Sequence, residues 1–74
     1  MIENFDRVVL KEDLPERGLV KGDIGTVVMI HDNRKGYEVE FFTLMGKTRS
    51  VETLKANQVR SVKANEVAHS REIA

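Results

Sequence analysis

The 74-residue chain has no cysteine and no tryptophan, one proline, one tyrosine and three phenylalanines. Without cysteine it can form neither a disulfide staple nor a thiolate metal site. The same absence fits a reducing compartment, so the expected location is cytoplasmic. An excess of charge of one sign is also missing: 12 basic side chains face 12 acidic ones, for a formal net charge of zero. Domains that hold nucleic acid through its phosphates carry a basic excess or a basic face. Nucleic acid is therefore not the first expectation for a partner. No apolar run approaches the ~18 residues of a membrane span. The opening MIENFDRVVLKEDLP has neither the basic start nor the apolar stretch of a secretion signal. Two histidines, His31 and His69, stand far apart with no helper cysteine, so no metal and no cofactor is expected.

A chain this short buries only about 60% of the surface its unfolded form exposes. Its core is thin, and a compact barrel, self-association (a dimer, for instance) or a permanent partner must compensate. What the sequence does contain is a series of short β-type runs. Phe5–Leu10 reads as a first strand. Lys11–Lys21 follows as a polar loop with Pro15 and Gly18, whose Leu14, Leu19 and Val20 fold back over one end of a core. Gly22 and Gly25 bracket a turn before a second strand, Thr26–His31. In Asp32–Gly36, Asn and Gly tolerate positive φ and make a hairpin loop. Tyr37–Phe41 alternates cleanly, with Tyr37, Val39 and Phe41 inward and Glu38 and Glu40 outward. Thr43–Lys47 makes a second turn, and Thr48–Leu54 a fourth strand with Val51 in the core. A 3₁₀ or helical turn over Leu54–Val59 leads to a closing strand, Arg60–Val62. Five short strands and no long helix predict an all-β fold, a small barrel over residues 1–62.

Residues 63–74 form a tail. Ala64, Val67 and Ala68 stand at helical spacing with Asn65 as a cap, which predicts a short helix or a tail ordered only by docking. KANQV at 55–59 recurs as KANEV at 63–67. A repeated binding element and a chance echo are the two readings of that recurrence.

The order Val8-Val9-Leu10, Leu14-Pro15, Gly18-Leu19, Gly22-Asp23-Ile24-Gly25-Thr26-Val27-Val28, Tyr37-Glu38-Val39-Glu40-Phe41 and Val59-Arg60 resembles an uncharacterised bacterial family of small stand-alone domains of unknown function. That resemblance implies an SH3-like barrel. Gly25-Thr26-Val27 with Tyr37–Phe41 is also similar to the barrel of the nitrile hydratase β subunit and its accessory proteins, and Lys21–Phe41 to KOW-type barrels of ribosomal and transcription factors. Such likenesses carry fold further than function, because small barrels host many roles.

Motifs for chemistry are sparse. The glycine pair lacks the spacing and following helix of a phosphate loop, and serves backbone geometry instead. Catalysis needs a nucleophile with a base, or two carboxylates in different environments. No such pair is legible, and a barrel of this size is expected to lack a concavity of ~300 Å³ for a ligand. The chain is therefore read as non-enzymatic. One feature remains: Val27-Val28-Met29-Ile30 and Phe41-Phe42 are apolar on both strand faces. Val28, Ile30 and Phe42 are accordingly the candidate protein interface. Arg34, Lys35, Lys47, Arg49 and Arg60 are the candidate basic patch of the alternative, an RNA- or ribosome-associated KOW-like module. The expected function is a protein-interaction or small assembly module. A third reading, from the nitrile hydratase likeness, is an accessory protein of a metalloenzyme.

Overall fold

A computed structural model describes residues 1–73. Five antiparallel strands form one sheet: β1 (Arg7–Leu10), β2 (Ile24–His31), β3 (Gly36–Phe42), β4 (Thr48–Lys55) and β5 (Val59–Ser61). Their order across the sheet is β4-β3-β2-β1-β5. The only helical pieces among the described residues are single 3₁₀ turns at Pro15–Arg17, Asp32–Arg34 and Ala56–Gln58. The all-β expectation holds.

The order itself forces the sheet to curl. Flat, its two edge strands would lie about 19 Å apart, four spacings of ~4.8 Å. Yet β4 and β5 are joined by Ala56–Gln58 alone, and the four Cα steps from Lys55 to Val59 reach at most about 14 Å. The 3₁₀ turn is pinned from both sides. Ala56 N–H donates to the Lys35 carbonyl beside the β2–β3 hairpin (2.9 Å), and Lys11 N–H, beyond β1, donates to the Gln58 carbonyl (2.8 Å). Among the described residues no ladder joins β4 to β5. The barrel is thus drawn together at one corner rather than hydrogen-bonded shut, as a fully closed cylinder would be.

The core is Val8, Leu10, Leu19, Val27, Tyr37, Val39, Phe41, Leu54 and Val59. The alternation of β3 lies as its sequence requires, with Tyr37, Val39 and Phe41 buried. Two glycines do what the turn and the close approach demand. Gly22 has φ +97°, which only glycine adopts readily. At Gly25 an added Cβ would stand 2.5 Å from Val39 Cγ1 and 2.9 Å from the Glu40 carbonyl oxygen, so the β2–β3 contact admits no side chain there.

Two expectations are corrected. Val51 is outward and 51% exposed, not core. Register decides this: Glu52 pairs with Val39 and Leu54 with Tyr37, so the inward face of β4 is Ser50, Glu52 and Leu54. The buried Glu52 carboxylate meets the Arg17 guanidinium at 3.4 Å, while the Ser50 hydroxyl is buried with no partner among the described residues. The apolar run of β2 is not two-faced in a regular ladder, because a β-bulge falls between Val27 and Met29. Of the two readings of the tail, the docked one holds and the helix does not form among the described residues. Ala64 and Asn65 make a turn, and the residues to 73 are non-helical; residue 74 lies outside the described residues. A helix of that length is marginal alone, and the tail is held instead by contacts of His69 and Arg71 with the barrel.

Candidate interaction groove

The tail builds the second wall of a groove of about 460 Å³. The barrel wall includes Ile24, Phe42, Leu44, Arg7 and Arg49, and residues 68–73 line the other side. The expectation that so small a barrel lacks a ligand-sized concavity is thereby corrected. The barrel alone does not enclose the space; a strip of chain laid across its surface does.

Asp23 anchors that strip. It follows the tight turn at Gly22, and its side chain is only 10% exposed. Its Oδ2 accepts a hydrogen bond from Val20 N–H at 2.9 Å, which fixes the carboxylate before any partner arrives. Arg71 donates to both oxygens, Nε to Oδ1 at 2.8 Å and Nη2 to Oδ2 at 2.6 Å. Arg71 Nη2 also donates to the Gly18 carbonyl at 2.9 Å. His69 Nε2 lies 3.2 Å from Asp23 Oδ1, its ring over Gly22, where an added Cβ would come within 3.4 Å of Cε1. Burial by itself would raise the pKa of Asp23. The Arg71 hydrogen bonds, the Val20 N–H and the nearby charge outweigh it and hold the carboxyl below its ordinary range. Two-pronged guanidinium–carboxylate pairs combine strength with a fixed geometry.

The turn from β3 to β4 supplies apolar surface. Phe42 is 38% exposed, and Leu44 and Met45 stand almost fully in solvent at its tip. Arg7 and Arg49 line the groove with no carboxylate at ion-pair distance among the described residues. The Arg49 guanidinium lies against Gly18, where an added Cβ would come within 3.0 Å of it.

The candidate interface residues do not share one patch. Val28 sits half-buried at the bulge, and Ile30 packs against the core beside Tyr37. Phe42 lies five residues along β3 from Tyr37, about 17 Å away, and keeps company with Leu44 instead. The candidate basic residues are likewise dispersed. Arg34 and Lys35 stand at the start of β3, and Lys47 beyond its end. Arg34 is engaged by the Ile2 carbonyl and the Glu3 carboxylate, and Arg60 by Glu66 through two hydrogen bonds of 2.8 and 2.6 Å. Arg49 alone of the five lines the groove.

On the outer face, Glu38 Oε2 receives the Thr53 hydroxyl at 2.7 Å and His31 Nε2 at 2.8 Å. Those bonds, Thr53 first, hold the Glu38 carboxyl below its ordinary range. The hydroxyl donates to the carboxylate and not to the imidazole, so this cluster is not a nucleophile set on a histidine base. Among the described residues no three His, Asp or Glu side chains gather as metal ligands, and no helix is long and apolar enough to cross a membrane.

Asp23, His69 and Arg71 were not legible as a site. Asp23 reads as a turn residue between two glycines, and its partners lie 46 and 48 positions away.

A family model described as a domain of unknown function (DUF4926) matches residues 4–61. That stretch contains Asp23, Phe42 and Arg49, and the tail residues that line the groove lie beyond it. No curated protein and no solved structure matches the chain.

Proposed function

The chain belongs to this family of unknown function, DUF4926, and from that premise we propose that it is a non-catalytic protein-interaction module whose contact surface is the groove beside the β3–β4 turn. The observation that carries this reading is that a stretch of non-helical polypeptide already docks on the barrel wall there. Residues 68–73 already lie along it, and beside them Phe42 and Leu44 leave apolar surface uncovered. Exposed large apolar side chains grouped around a concavity are where proteins meet partners. The electrostatics agree: guanidinia at Arg7 and Arg49, with no carboxylate at ion-pair distance among the described residues, and a carboxylate at Asp23 give the apolar floor directional contacts of both signs. The SH3-like assignment and a cytoplasmic setting belong to this proposal.

A photo-crosslinking side chain at Leu44, placed in the protein in cells of its native host, tests the reading. The expected result is a covalent adduct with one defined protein that disappears when Phe42→Lys is added. Adducts with RNA, or the same adducts with and without Phe42→Lys, would overturn it.

A further inference from the structure

Asp23 has the features of a receptor for arginine. Its carboxylate is nine-tenths buried, pre-oriented by Val20 N–H, and flanked by the Gly18 carbonyl, which takes a third guanidinium hydrogen bond. Gly22 leaves the space above it bare for a ring such as that of His69. The segment joining this anchored strip to β5 is clasped by Glu66 on Arg60 but buries little apolar surface: Val67 is almost wholly exposed. The strip is therefore a short ligand on a tether rather than a part of the core.

We propose that the barrel wall of the groove is a binding site for extended segments that place an arginine on Asp23 and an aliphatic side chain two residues further on, and that residues 69–73, His-Ser-Arg-Glu-Ile, are its occupant in cis. A partner segment with the same pattern binds in trans by displacing the tail. This rests on the groove being the interaction surface, and adds what the surface recognises. A short tether holds its ligand at an effective concentration in the millimolar range. The intact chain then binds a trans segment weakly, and release of its own tail unmasks the site.

The probe is a fluorescein-labelled peptide of residues 66–73, and the readout is anisotropy with the full-length chain. Full-length Arg71→Ala, whose tail lacks the anchoring guanidinium, is expected to bind the peptide at least about tenfold more tightly than wild type does. The same peptide carrying Arg71→Ala is expected to bind that protein at least about tenfold more weakly, in line with loss of a charge-assisted pair. Adding Asp23→Asn to the protein is expected to remove the difference between the two peptides. Circular dichroism with a β-sheet signature confirms that each variant is folded. Should Arg71→Ala not fold, wild type in millimolar unlabelled peptide serves instead, and the His69 ring signals are expected to move to released-tail positions. Equal binding of both peptides by Arg71→Ala, or no binding, would overturn the arginine site. The groove could then still give the Phe42-dependent adduct at Leu44, so the two proposals fail separately.

Discussion

Lys55–Val59 and Lys63–Val67 differ at one position, Gln58 against Glu66, and both fold into the same local device. In each, the side chain of the fourth residue reaches back to the N–H of the first: Lys55 N–H to Gln58 Oε1 at 2.8 Å, and Lys63 N–H to Glu66 Oε1 at 2.7 Å. This is half of a capping box, and five residues suffice to write it. The outcomes then diverge. Val59 starts β5 and is 4% exposed in the core, whereas Val67 is 94% exposed. The echo is thus real as a turn and void as a packing unit. The surroundings, not the five residues, decide where the chain goes after each turn. The first copy meets a free edge of β1; the second meets the Arg60 side chain, which the first copy's own strand presents.

The largest expected difference between the two copies lies in the valines. Val59→Ala removes buried methyl groups and leaves a cavity, and is expected to lower unfolding free energy by about 2 kcal/mol. Val67→Ala is expected to change it by no more than about 0.5 kcal/mol. Urea unfolding at equal slope measures both, and equal losses would dissolve the contrast. Next is the cap. Gln58 holds the turn that draws the sheet edges together, and also donates to Glu12 at 3.1 Å. Gln58→Ala is expected to cost about 1 kcal/mol, while Glu66→Ala leaves the global unfolding midpoint in place and raises amide exchange across residues 63–71.

A smaller effect sharpens the same pair through pH. The Glu66 carboxyl is lowered from 4.5 to about 2, first by the Arg60 guanidinium and then by the Lys63 N–H. A carboxyl whose pKa is lower folded than unfolded stabilises above the unfolded value and loses that contribution as pH falls. The Glu66 turn is therefore complete above about pH 4.5 and fades toward pH 2, and the Gln58 side chain has no proton to titrate. Carbon-13 NMR of the Glu66 carboxyl should show its midpoint near 2, and a midpoint at 4.5 would mean that the clasp is absent in solution.

The same division runs through what the sequence reveals. Tyr37–Phe41 shows its inward face because every second residue is apolar and every other is Glu. Gly22 and Gly25 announce a turn and a close approach because no other residue fits. The phase of β4 is hidden, since Ser50 and Glu52 look more polar than Val51 and only pairing with Phe41 and Val39 turns them inward. The bulge after Val27 breaks the period that any alternation argument needs. The groove is hidden for a different reason. Its anchor joins residues separated by more than forty positions, and nothing near Asp23 signals that an arginine will reach it.

Asp23 holds the tail in its seat on the barrel. Nitrogen-15 relaxation of the His69 and Arg71 amides tests this most directly. With the tail seated, both are expected to show order parameters near those of the strands, about 0.85, and to fall below about 0.6 in Asp23→Asn. Low values already in wild type, or values that Asp23→Asn leaves unchanged, would contradict it.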